Sequence, residues 1–194
     1  MKIKNINYYF IIGIFIVVFA GIIFSYSNFK NTNPTSISMS TQNLEARFIS
    51  LNESPVTGSC GGLSQLSDGQ FLQGACCGKM ELSRYKKQVI YLERYKDIKE
   101  IPKDPWNVSV SRANKLIEYD NTIKLTADQQ ITFNKALTIF DEGPCCCKCW
   151  RWYTFEGLAK YLIQEHKFNS QQIAELWAAE DVCGDKNPFE EIKV

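Results

Sequence analysis

The chain opens on an apolar block and then changes character. From Asn5 to Phe29 no residue is charged, and Tyr8 to Phe24 is almost wholly apolar, with Ile11, Ile12, Ile14, Phe15, Ile16, Val17, Val18, Phe19, Ile22 and Ile23. About 20 apolar residues span a bilayer core, so residues 8–24 predict a transmembrane anchor. A cleavable signal would carry a small-residue site after the apolar run, and Ser25-Tyr26-Ser27 is a poor one. Lys2 and Lys4 precede the run and only Lys30 follows it closely. That bias predicts a cytoplasmic N-terminus, a single pass through the cell membrane and an extracytoplasmic main domain.

From Asn31 to Glu45 the chain is rich in Asn, Ser, Thr and Gln without a hydrophobic pattern. With Pro34 and Pro55 this predicts a flexible linker over 31–57. The domain organisation expected is therefore 1–30 anchor, 31–57 linker and 58–194 extracytoplasmic domain.

Beyond residue 80 the periodicity is helical. Leu82, Tyr85, Val89 and Leu92 share one face of 81–95, with Arg84, Lys86, Lys87, Glu93 and Arg94 elsewhere. Pro102 and Pro105 break the chain. Ala113, Leu116 and Ile117 predict a short helix over 109–119. Thr126-Ala127-Asp128-Gln129 has the form of a capping box, followed by Phe133, Ala136, Leu137 and Phe140 at helical spacing and a stop at Gly143-Pro144. Phe155, Leu158, Ala159, Leu162 and Ile163 mark a further helix. A last one, capped at Asn169 or Ser170, runs through Ile173, Leu176 and Trp177. No stretch alternates with period two. The fold class expected is all-α: one transmembrane helix, then a domain of about five helices with cysteine-bearing loops.

Charge and composition exclude little beyond nucleic acid. Residues 1–30 hold three of the 22 basic residues and no acid, which leaves 19 basic against 21 acidic, a net charge of −2. That offers no basic surface for nucleic acid. No paired-carboxylate, H-E-x-x-H or G-x-S-x-G pattern is present, and no catalytic residue is assigned. Catalysis would need an activated group with a partner.

The chemistry lies in the eight cysteines. Cys145, Cys146, Cys147 and Cys149 crowd one loop, Gly143-Pro144-Cys-Cys-Cys-Lys-Cys-Trp150-Arg151-Trp152. The others are Cys60, Cys76, Cys77 and Cys183. Three readings compete. Disulfides are permitted outside the cytoplasm, and eight cysteines allow 105 pairings. Neighbours in sequence do not readily bridge each other, because a disulfide wants Cα atoms about 5.5 Å apart and adjacent ones are about 3.8 Å apart. Thiolate is also the preferred ligand of Cu(I), zinc and iron–sulfur clusters, and the short C-x-C bite suits Cu(I) first and zinc second. Thirdly, Cys149 precedes a helix near Lys148 and Arg151, a setting that lowers a thiol pKa and would suit thiol–disulfide exchange.

The leading expectation is a soft-metal site. Cys145, Cys147 and Cys149 are the primary ligands, with Cys146, Cys76 and Cys77 completing it and Cys60 and Cys183 set aside as a structural disulfide. The expected cofactor or cargo is Cu(I) or zinc. The expected partners are the membrane, through residues 8–24, and a metal donor or acceptor protein. A disulfide-stapled interaction module is the alternative, and thiol–disulfide oxidoreduction a third. His166, the only histidine, reads as a solvated helix-end residue, and Met80 as a core residue at a helix start. Trp150-Arg151-Trp152 reads as loop packing, or as an Arg held over an aromatic face.

The run Pro144-Cys145-Cys146-Cys147-Lys148-Cys149 resembles the motif of the PCYCGC-motif proteins of bacterial envelopes. Pro144, Cys145, Cys147 and Cys149 fall in place, while Cys146 stands where that family has Tyr and Lys148 where it has Gly. The resemblance implies an exported, cysteine-centred protein that binds metal. The family's lipid anchor has no counterpart here, since no lipobox is present.

Overall fold

The computed structural model describes residues 34–183, with side chains from Asn43 onward. The expected membrane span, residues 8–24, lies outside the described residues, and no described helix is long and apolar enough to cross a membrane. The described residues divide at Gln42/Asn43, and the cysteines all lie in the unit that begins at Asn43.

The described chain is mostly helical. Helix α1 spans Pro34–Glu53, α2 Leu82–Leu92, α3 Val110–Thr122, α4 Ala127–Ile139, α5 Trp150–Glu165 and α6 Ser170–Glu180. Helices α2 to α6 are the five that the periodicity predicts. Their ends follow local chemistry. Ser109 Oγ accepts from the Arg112 amide at the start of α3. The capping box at Thr126 and Gln129 closes in both directions. A second box, Asn169 with Gln172, opens α6. Gly143 ends the α4 segment at φ +60°, a conformation that favours glycine.

Two features depart from the sequence reading. Residues 34–53, taken as linker, are helical. Leu44, Phe48 and Leu51 make one short stripe that packs against Tyr85 and Trp106, and Arg47 pairs with Asp104 at 2.6 Å. Three apolar residues flanked by polar sequence are too few to read as a pattern, and a partner surface is needed to hold them. A two-stranded antiparallel sheet is also present, β1 Phe71–Gln73 with β2 Asn107–Ser109, in the register Leu72↔Val108. Strands of three residues are too short to display alternation.

The main core gathers α3, α4, α5 and α6 around Phe155, Leu158, Leu162, Ile173, Leu176 and Trp177. Two smaller clusters lie under the cysteine loops. One holds Leu51, Ala75, Tyr85, Trp106 and Val182, with Cys76 and Met80 against it. The other holds Leu72, Val108, Val110, Ala113 and Trp150, with Cys149 against it. Met80, expected as a core residue, is half-buried and packs against the edge of the first of these clusters. His166 sits exposed at the end of α5, beside Tyr161 and Phe168.

Candidate metal centre

Four chain segments carry the cysteines to one place. Cys60 lies two residues before the 3-10 turn Gly62–Gln65. Its loop is tied down by Trp150 Nε1, which donates to the carbonyl of Ser59 at 2.8 Å. The loop also docks on the end of β1, where the Thr57 and Gly58 amides both donate to the Gln73 carbonyl. A Cβ on Gly58 would lie 3.0 Å from that carbonyl oxygen and 3.1 Å from Arg151 Nη2, so glycine permits this approach. Cys76 and Cys77 follow β1 directly. Cys145 to Cys149 fill the connection from α4 to α5. Cys183 follows α6, and Arg84 Nη1 holds it by donating to its carbonyl at 2.8 Å.

The sulfurs meet. Cys60 Sγ is 3.3 Å from Cys76 Sγ and 3.3 Å from Cys147 Sγ. Cys76 and Cys77 are 3.6 Å apart, Cys145 and Cys183 3.7 Å, and Cys146 and Cys183 3.0 Å. In four sets the member sulfurs all lie within 4.8 Å of one another. The sets are Cys60/Cys76/Cys147/Cys149, Cys76/Cys77/Cys183, Cys77/Cys146/Cys147 and Cys145/Cys146/Cys183. All six cysteines expected as ligands are therefore together. Cys60 and Cys183, expected as a separate disulfide, belong to the same cluster: Cys60 faces Cys76 and Cys147, and Cys183 faces Cys145 and Cys146. All eight are thiols here.

The 4.8 Å span of each set brackets the spacing of metal-bound sulfurs, while the shortest contacts, 3.0 and 3.3 Å, are tighter than a bound ion would set them. With metal–sulfur bonds of about 2.3 Å, a tetrahedral site sets its sulfurs about 3.8 Å apart and a trigonal one about 4.0 Å. No histidine or carboxylate joins any of the four sets. An all-thiolate donor set is soft and selects Cu(I), zinc or iron–sulfur chemistry. Cys145 and Cys183 are buried, Cys76, Cys147 and Cys149 half-buried, and Cys60, Cys77 and Cys146 exposed. The cluster is thus rooted in the protein on one side and open to solvent on the other.

A buried cation interacts with the cluster. Arg151 is 1% exposed. Its Nη1 donates to the Pro105 carbonyl at 3.1 Å, and its guanidinium carbon stands 4.5 Å from the centre of the Trp150 ring. Burial lowers its pKa, and the facing Cys76, Cys145, Cys149 and Cys183 oppose that shift. A guanidinium stays charged even so, and here it interacts electrostatically with Cys76, Cys145, Cys149 and Cys183. The nearby Glu180 carboxyl does not cancel it. Burial pushes Glu180 well above the carboxylate range, and neither oxygen has a hydrogen-bond partner.

The thiols share protons unequally. Cys149 and Cys183 are held far below the usual thiol range, because each accepts from Cys145 and Cys76. Those two donors are pushed up by the same contacts. Burial raises Cys77 and Cys146, and pushes Cys147 up to about 12. At neutral pH most of the cluster is protonated, and a metal must displace those protons. Metal binding is therefore expected to release protons and to tighten as pH rises, by about tenfold per pH unit for each proton displaced. Titrations at several pH values in weak buffer measure both. An affinity independent of pH would contradict the proton assignment.

Sequence reasoning missed two groups. Arg84 falls on the polar face of its helix by periodicity, yet it is buried and pairs with Asp181. Asp181 itself accepts from the Cys183 amide at 3.0 Å. Only the docking of α6 beside α2 brings them together, and no local signal marks either residue.

No protein-family model, curated protein or solved structure matches the chain. The functional reading therefore rests on the site.

Proposed function

We propose that this protein is a membrane-anchored, extracytoplasmic metal-binding protein that captures or hands over Cu(I) through a thiolate cluster. One observation carries the reading: four segments distant in sequence bring all eight cysteines into a single network of sulfur sets, each set within 4.8 Å. A structural role would need only pairs of cysteines, at points where chain segments are to be stapled. The donor set holds sulfur alone, which favours a soft ion. Cu(I) comes before zinc, because three of the four sulfur sets have three members and one has four, whereas structural zinc closes four-coordinate. The partially exposed face gives a donor or acceptor protein access to the metal. The membrane anchor rests on the uncharged apolar run at residues 8–24.

The stapled module keeps one observation in its favour, the 3.0 Å approach of Cys146 and Cys183. One experiment separates the two. The full chain is produced in the membrane, solubilised, counted for free thiols by alkylation and mass, and analysed for bound metal on the same sample. The expected result is bound copper with thiols that become alkylable once copper is removed. Metal-free protein with no free thiol, unable to take up Cu(I) after reduction, would sink the reading.

A further inference from the structure

The four sulfur sets are not separate sites. Cys76 belongs both to the set with Cys60, Cys147 and Cys149 and to the set with Cys77 and Cys183. Cys77, Cys146, Cys147 and Cys183 likewise each belong to two sets, while Cys60, Cys145 and Cys149 belong to one. Every set shares a corner with at least two others, so the sets close into a cage. If each ion kept its own ligands, eight sulfurs would supply at most two three-coordinate ions. A thiolate sulfur has more than one lone pair and can bridge two soft ions.

Resting on the reading of the cluster as a Cu(I) site, we infer that the protein assembles one polynuclear Cu(I)–thiolate cluster of about four ions. Cys76, Cys77, Cys146, Cys147 and Cys183 bridge, and Cys60, Cys145 and Cys149 are terminal. The sulfur contacts of 3.0 to 3.7 Å are closer than the spacing of about 4.0 Å around a trigonal ion, so ions entering the corner-sharing sets would spread the sulfurs slightly. An iron–sulfur cluster would instead hold its thiolates apart around an inorganic core. Four Cu(I) ions on eight thiolates leave a net negative charge, and the buried Arg151 interacts electrostatically with four of the sulfurs. No redox step is involved, since Cu(I) enters as Cu(I) and displaces thiol protons.

The cage also ranks the cysteines. Cys77 is exposed, so its replacement spares the fold, but it serves two sets. Cys60 is equally exposed and serves one. The full-length, detergent-solubilised protein is titrated anaerobically with Cu(I) against a competing chelator. Native mass spectrometry counts the ions, X-ray absorption reports copper–copper scattering, and circular dichroism confirms the fold of each variant. The expected result is about four ions, taken up cooperatively, with copper–copper scattering. Cys60→Ser is expected to lose no more than one ion. Cys77→Ser is expected to lose at least two and the cooperativity with them. One ion per chain, or several without copper–copper scattering, would overturn the polynuclear cluster and leave Cu(I) binding standing. No bound copper would overturn both. Equal losses in Cys60→Ser and Cys77→Ser would overturn the assignment of bridging and terminal ligands.

Discussion

Gly157→Ala is expected to destabilise the domain by about 4 kcal/mol or more, beyond the usual range for a single substitution. Gly157 lies where α5 passes α3. A Cβ there would stand 1.9 Å from the Leu116 carbonyl oxygen and 2.7 Å from the Asp120 amide nitrogen. Both are backbone atoms of another helix, so no side chain can swing aside. Helix propensity argues the other way, favouring Ala over Gly by about 1 kcal/mol. The clash is the larger effect, because its relief means parting the two helices. That would open the packing of Leu116 against Leu158 and Phe155 in the main core and strain the Lys160–Asp120 ion pair, now 2.6 Å. At about 2–4 °C per kcal/mol for a domain of this size, the midpoint should fall by roughly 10 °C or more. Thermal and urea unfolding measure it. Gly61→Ala is the control, since the nearest atom to its Cβ would be 3.7 Å away. A Gly157→Ala protein as stable as the parent would show that α3 and α5 do not cross this closely.

Arg151→Met is expected to weaken both the fold and the metal site. The substitution roughly keeps side-chain volume and removes the charge. It leaves the Pro105 carbonyl without its buried donor and loses the stacking on Trp150. An unsatisfied buried acceptor costs about 1–3 kcal/mol, so a loss of about 2 kcal/mol in stability is expected. The second effect is electrostatic. Without the guanidinium that interacts with Cys76, Cys145, Cys149 and Cys183, thiolates lose their fixed counter-charge and hold protons more tightly. A rise of one pKa unit is about 1.4 kcal/mol, and Cu(I) affinity at neutral pH should fall at least ~10-fold. The ultraviolet absorbance of thiolate, followed against pH, reads this shift without any metal. Arg151→Lys keeps the charge and lacks the planar fork, so it should recover metal affinity more than stability. A folded Arg151→Met protein with unchanged thiolate titration and unchanged Cu(I) affinity would exclude an electrostatic role.

Most of the helical framework was legible because its cause is local. Tyr85 and Leu92, or Phe133 and Ala136, recur at the period of a helix and are buried on one face of one. Thr126 with Gln129 and Asn169 with Gln172 satisfy amides three residues away, so their effect is written within four positions. Helix α1 was not legible, because Leu44, Phe48 and Leu51 make sense only beside Tyr85 and Trp106. Nor was the small sheet, whose strands pair Leu72 with Val108 across 36 positions of chain. The capture of Arg84 by Asp181 and the Cys183 carbonyl joins elements almost 100 residues apart.

The cysteine centre divides in the same way. By itself the sequence determined that eight thiols are present, that four crowd one connection between helices, and that adjacent cysteines do not readily form a disulfide with each other. Those are consequences of spacing and covalent geometry, which no fold can alter. Only the tertiary structure decided that Cys60 and Cys183 join the cluster instead of standing apart as a staple, that corner-sharing sulfur sets link all eight, and that Arg151 interacts with four of them. Each of these needs β1, α5 and α6 brought together around buried Trp106, Trp150 and Val182. The distances that select a metal are distances between segments, and they are set by packing, which sequence spacing does not encode.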